Sequence, residues 1–193
     1  MDPMARPPVY DDALRGRVLT ATAEAIDEHG VNGFSLRAVT SAVETSTSAV
    51  YALFGSRDGL VAAVIDDAFA SFGAAQHNAE PKGLAALGWA YRDWALANPV
   101  RYRLMFGGAL LTCAPEDVPS SDGAILPLVR TVTALLPHAS ETVVRTRVLA
   151  IWAQVHGAVS LQLAGVMPDG TDWRAAFESV VATIARDLDG LAR

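Results

Sequence analysis

From Asp11 onward the apolar residues recur at intervals of three and four, the period of an α-helix, and no stretch shows the alternation and β-branched enrichment of a strand. That pattern predicts an all-α fold. A first helix opens at Asp11 or Asp12, acids suited to a helix N-terminus, carries Leu14, Val18, Ala21, Ala25 and Ile26 as one stripe, and ends at Gly30. Ser35 caps a second, short helix (SLRAVTSAV), and a break follows at Glu44-Thr45. A third short helix starts at Ser46 or Thr47 and runs to Gly55, after which Ser56 caps a fourth with Asp58 in its first turn. Two short helices joined by a tight turn form a helix-turn-helix. The stretch Gly73 to Gly83 (GAAQHNAEPKG) reads as a mobile connection, and Leu84 to Asn98 as a helix halted by Pro99. Val100 to Phe106 is a short helix, and Gly107 to Gly123 reads as a long loop. Helices resume at about Ala124 to Leu136, Glu141 to Ala164 and Asp172 to Leu191.

At 193 residues, 51% hydrophobic and 19% charged, the chain suits one compact domain or two small ones, and disorder is excluded as its main state. A net charge of −6 leaves no broad basic surface to drive nucleic-acid binding, so any such contact must be local. One cysteine, Cys113, cannot form an internal disulfide, and His29, His77, His138 and His156 are too scattered for a zinc site. No metal or cofactor is expected. The N-terminus, MDPMARPPVYDD, lacks the basic start and apolar run of an export signal. The uncharged stretch Val148 to Met167 is long enough to span a bilayer but carries Gln154, His156, Ser160 and Gln162, which suits a helix buried against two partners better. A cytoplasmic location away from membranes is therefore expected.

Residues 34–64, FSLRAVTSAVETSTSAVYALFGSRDGLVAAV, carry more than periodicity. The capped helix at Ser35, the turn into a Ser/Thr-rich third helix, Tyr51 followed by Phe54, and the run Gly55-Ser56-Arg57-Asp58-Gly59-Leu60 resemble the DNA-binding segment of TetR-family transcriptional regulators. The resemblance implies a third helix entering the major groove by its N-terminal end, where Thr45, Ser46, Thr47 and Ser48 can meet bases or phosphates. Tyr51 and Arg57 are then candidates for phosphate contacts, with Ser35, Arg37 and Ser56 beside them. The competing readings are helix capping for the hydroxyl cluster and core packing for Tyr51. Two features depart from the family pattern. Ala52 and Leu53 stand where relatives often carry polar or basic residues, and residues 1–60 hold five arginines against eight carboxylates. Non-specific affinity should be weak and binding should rest on a few placed arginines. Arg6, beside Pro7-Pro8, belongs either to an arm reaching a groove or to a disordered tail.

Residues 84–106 and 152–165 resemble the regulatory domain of the TetR subgroup named for its Trp-His-Gly signature, matched here by Trp152, His156 and Gly157. Trp152 and His156 share a helix face and can meet Trp89, Trp94, Tyr102, Met105 or Phe106 around an apolar effector cavity. The alternative is that these aromatics fill the core and that His156 is a satisfied buried histidine. Small residues on the same helix, Ala153, Gly157, Ala158 and Ala164, with Leu161 and with Val180 and Ile184 of the last helix, are the expected homodimer interface.

The chain contains no HExxH, GxSxG, phosphate-binding glycine loop or CxxC, so no enzymatic activity is expected. The expected organisation is an arm over 1–9, a three-helix DNA-binding domain over 10–57, and a helical ligand-binding and dimerisation domain over 58–193. The expected function is that of a homodimeric repressor released from double-stranded operator DNA by a small apolar molecule. The alternative is a dimeric helical ligand-binding or interaction protein with lost or weak DNA binding.

Overall fold

A computed structural model describes residues 12–107 and 122–191. The arm over 1–9, Cys113 and most of the expected loop lie outside the described residues. Among those residues the fold is all-α, as expected, with nine helices and no strand. They are α1 (Asp12–Gly33), α2 (Leu36–Ala42), α3 (Thr47–Phe54), α4 (Arg57–Ala79), α5 (Leu84–Ala97), α6 (Pro99–Phe106), α7 (Asp122–Leu135), α8 (Glu141–Ala164) and α9 (Trp173–Leu191).

The chain divides into two compact units, which separate after Ala68 within α4 and again between Tyr102 and Arg103 within α6. In the first unit, α1 packs on α2 and α2 on α3. The helical spacing of the sequence delivers the core: Val18, Leu19, Ala23 and Ile26 of α1, Val39 of α2, Val50 of α3, and Leu60, Val64 and Ile65 of α4 are all buried. Thr22 is also buried, its hydroxyl donating to the Val18 carbonyl at 2.7 Å, which removes the cost of an unpaired polar group. α1 runs past its expected end. Gly30 takes φ 74°, ψ 164°, a conformation open to glycine, so the chain kinks there and adds a further turn to Gly33 instead of stopping.

Gly73 to Gly83, expected to be a mobile connection, is mostly helical instead. The chain stays helical through Ala79 and tightens into a 3-10 turn at Glu80–Lys82. Burial explains the difference, because Phe72, Gln76 and Ala79 continue the buried side of α4 at helical spacing, and packing outweighs the weak propensity of Gly, His and Asn. Phe72 meets Tyr91 and Trp94 edge-on, with ring centroids 5.0 and 5.1 Å apart. α5 ends at Ala97 ahead of Pro99, as the sequence predicts, and α7 begins slightly earlier than expected, at Asp122. In the second unit α8 packs on α5, α7 and α9.

Arg57 ties the start of α4 to the loop before α2. Its Nη2 donates to the Phe34 carbonyl at 3.0 Å, and its guanidinium lies 4.0 Å from the centroid of the Phe34 ring. Replacing Arg57 by Leu should therefore lower the unfolding free energy by about 1–3 kcal/mol, read by urea denaturation. An unchanged midpoint would show that the contact contributes nothing to stability.

Candidate functional site

The break at Glu44-Thr45 is built by backbone geometry. Glu44 adopts φ 54°, and the Thr45 amide donates to the Thr40 carbonyl at 2.9 Å, which turns the chain from α2 into α3. Three serines expected near DNA are helix caps: Ser35 accepts from Ala38 N at 3.3 Å, Ser46 from Ala49 N at 3.1 Å, and Ser56 from Gly59 N at 2.9 Å. Capping uses the hydroxyl oxygen as acceptor and leaves its O–H to donate outward. A Cβ at position 59 would sit 2.3 Å from the Phe54 carbonyl oxygen, so the close approach of α3 to α4 requires glycine there.

Ala49 and Val50 turn α3 inward, while Ser46, Ser48, Tyr51 and Ala52 are exposed and Thr45 and Thr47 are half-buried. Tyr51 is 47% exposed, which removes core packing as its role. Arg37 is exposed on α2. Arg57 is half-buried and engaged with Phe34, a structural contact that sequence reasoning did not foresee.

In the second unit a cavity of about 70 Å³ opens among α4, α5, α7, α8 and α9. Its walls include Leu84, Leu87, Tyr91, Leu128, Ile151, Trp152, Val155, Val181 and Ile184, with Gln76 on the α4 side and no charged residue. Of the residues expected around an effector cavity, Trp152 lines this one. Trp89 packs edge-on against Phe177 at 4.9 Å, and Trp94 donates from Nε1 to Ser71 at 3.0 Å. Met105 and Phe106 fall in the first unit. Gln76 was missed because its segment reads as a linker; the spacing Val64, Ala68, Phe72, Gln76, Ala79 was the signal that marks it as part of a buried face.

His156 does not line the cavity and is instead satisfied within the protein. Its Nδ1 lies 2.9 Å from the hydroxyls of both Tyr91 and Tyr102, and its Nε2 lies 3.3 Å from Ser160 Oγ. Ser160 also bonds Tyr102 at 2.9 Å, and the Tyr102 ring stacks on the imidazole at 5.6 Å. Burial lowers the His156 pKa and raises those of Tyr91 and Tyr102, so the cluster is neutral near pH 7. Tyr91 belongs to both groups, with its ring in the cavity wall and its hydroxyl on His156.

Of the expected dimerisation residues, Ala153, Leu161 and Ala164 are exposed on α8, while Gly157 and Val180 are half-buried. With Leu149, which is 62% exposed, the α8 residues form one stripe at spacings of four and three. Ile184 departs from that group: it is buried in the chain's own core and faces the cavity.

Residues 84–184, just over half of the chain, match the tetracyclin repressor-like C-terminal domain, and residues 18–64 match the bacterial regulatory proteins of the tetR family. The chain belongs to the TetR family. Members of the family bind operator DNA and dimerise. The chain is similar to the HTH-type transcriptional regulator Rv1816 of Mycobacterium tuberculosis (strain ATCC 25618 / H37Rv), 28% identical over 104 residues. That match takes in 50% of this chain and 44% of the relative, so the chain spans less than half the length of this curated relative. Among solved structures, the candidate regulatory protein SCO4313 superposes with a TM-score of 0.77 at 26% identity, covering 93% of this chain and 98% of that one. The TetR family transcriptional regulator PfmR from Thermus thermophilus shares the fold, with a TM-score of 0.63 at 20% identity over 92% of this chain and 100% of that one. Among the described residues no single helix is long and apolar enough to cross a membrane, and no group of His, Cys, Asp or Glu is arranged to hold a metal ion.

The lowered His156 pKa carries a sign. The unfolded imidazole protonates near its ordinary value of about 6.5, the folded one only at lower pH, so below 6.5 protons favour the unfolded chain. Stability should be full above pH 6.5 and fall as the pH drops from there through the folded pKa. His156→Gln, measured by urea unfolding between about pH 7.5 and 5, should show a flatter decline than wild type. Equal slopes would remove His156 as the titrating group.

Proposed function

We propose that this TetR-family chain is a homodimeric, ligand-responsive transcriptional repressor that leaves its operator when a small, uncharged, largely apolar molecule enters the α4–α9 cavity. One observation carries the reading: a single chain joins a helix-turn-helix with an exposed Tyr51 to a second unit holding an uncharged cavity. Trp152, His156 and Gly157 support the finer assignment to the Trp-His-Gly subgroup. Ser46, Thr47, Ser48 and Tyr51 supply hydroxyls toward DNA, Arg37 supplies charge, and the remaining donors of Arg57 stay close to the start of α4.

Regulation runs along α4, which is one continuous helix from Arg57 to Ala79 and carries Gln76 in the cavity wall. A ligand pressing on that wall shifts α4 and with it the spacing of the two recognition helices, which must lie about 34–36 Å apart to read successive major grooves. The ligand moves this equilibrium only through its preference for the non-binding form, typically about 1–3 kcal/mol. A second reading, a ligand-binding or interaction protein with weak DNA affinity, is favoured by the acidic N-terminal segment and by the commitment of Arg57 to Phe34. Fluorescence titration with promoter DNA against random DNA separates the two: equal affinity for both would support the second reading.

Tyr51→Phe should weaken specific DNA binding by about 0.5–1.5 kcal/mol at fixed salt without changing the melting temperature. Binding as tight as wild type would remove the hydroxyl from the DNA contact. For dimerisation, a Cβ at Gly157 meets no atom within 4 Å, so Gly157→Arg leaves room for the subunit to fold while placing a charge in the proposed α8 interface. Light scattering should then find folded monomer, and an intact dimer would place the interface elsewhere.

A further inference from the structure

Gln76 is 5% exposed and lines the cavity, yet its side-chain Nε2 has no hydrogen-bond partner. An unpaired buried amide donor is costly, and natural proteins keep such groups at functional sites. The other side-chain polar groups in the wall are the Tyr91 hydroxyl, which is bonded to His156, and the Trp152 indole N–H, which is bonded to Tyr91. From this geometry, and resting on the reading of the cavity as the effector site, we infer that Gln76 is the residue that selects the effector. It donates to a single neutral acceptor, such as a ketone, ester or amide carbonyl, borne on an otherwise apolar body.

The chemistry of the wall narrows the class from both sides. A carboxylate would enter a cavity without a cationic partner, and an ammonium would enter one without a carboxylate, so desolvation opposes both. A pure hydrocarbon gains the apolar contacts but leaves the Gln76 N–H groups unpaired. A carbonyl compound satisfies them while the aromatic and aliphatic walls take the rest of the molecule.

The test uses the full chain and two probes of nearly equal shape, acetophenone and isopropylbenzene, which differ in the carbonyl. Calorimetric titration of wild type, Gln76→Met and Gln76→Leu gives the ratio of the two affinities in each protein. The preference for acetophenone over isopropylbenzene should fall by roughly tenfold in both variants. Without any probe, both variants should melt about 2–6 °C higher than wild type, because the substitution removes an unpaired buried donor. Binding of both probes with a ratio unchanged by substitution would overturn the selection role and leave the cavity as an effector site. An unchanged or lowered melting temperature would show that the amide is a structural group with a partner, and would likewise overturn the role. Binding of neither probe to wild type would overturn the inference together with the reading of the cavity itself.

Discussion

A single helix has to satisfy two cores. α4 spans Arg57 to Ala79, roughly 34 Å at 1.5 Å per residue, and its buried residues change allegiance along that length. Leu60, Val64, Ile65 and Ala68 serve the first unit, and Phe72, Gln76 and Ala79 the second. Both sets recur at helical spacing along the same element. The helix-turn-helix is anchored to the same element: Arg57 holds the Phe34 carbonyl and ring at its first residue, and Ser56 caps it. Gln76 in the cavity wall and Arg57 beside the helix-turn-helix are thus parts of one helix.

Most of the architecture was legible because it is written in period and caps. The serines at 35, 46 and 56 each stand one residue before a helix, and Pro99 marks the end of α5, so those boundaries follow from local chemistry. Over Gly73 to Gly83 composition and phase point in opposite directions. Gly, His and Asn argue against a helix, but Phe72, Gln76 and Ala79 keep the buried side in register, and tertiary burial decided the outcome. Read as a linker, that segment hides Gln76. That reading also draws the expected cavity toward the aromatics at Trp89 and Trp94, whose rings instead pack against Phe177 and Phe72.

His156 illustrates a different limit. Spacing put it on the face of Trp152, and the face was correct, but no spacing rule says whether a buried imidazole meets a ligand or its own neighbours. Three hydroxyls, from Tyr91, Tyr102 and Ser160, close on the same ring, and two of them come from helices far from it in sequence. Such convergence is a property of packing. Its energetic consequence is that the cluster stays neutral and fully bonded, so it can hold the Tyr91 ring in the cavity wall without itself requiring a ligand. The unpaired donor in this wall is on Gln76, in a different helix.

Charge sets the terms on which such a protein would meet DNA. A regulator that binds mainly by releasing counterions needs many basic residues, and each phosphate contact steepens the dependence on salt. Residues 1–60 offer five arginines, of which Arg57 is held by Phe34 and Arg15 lies 5.4 Å from the Phe54 ring. Arg15, Arg17 and Arg37 are exposed among the described residues of that segment, beside a row of hydroxyls that can donate without adding charge. A surface of this kind gains little from non-specific electrostatics and more from hydrogen bonds and fit to groove shape. Affinity then depends on presenting both recognition helices at the correct spacing, since one half-site alone supplies few contacts. Under the proposed regulation, scarcity of charge makes the position of α4 matter more, because weak non-specific attraction leaves affinity to the few contacts that position presents.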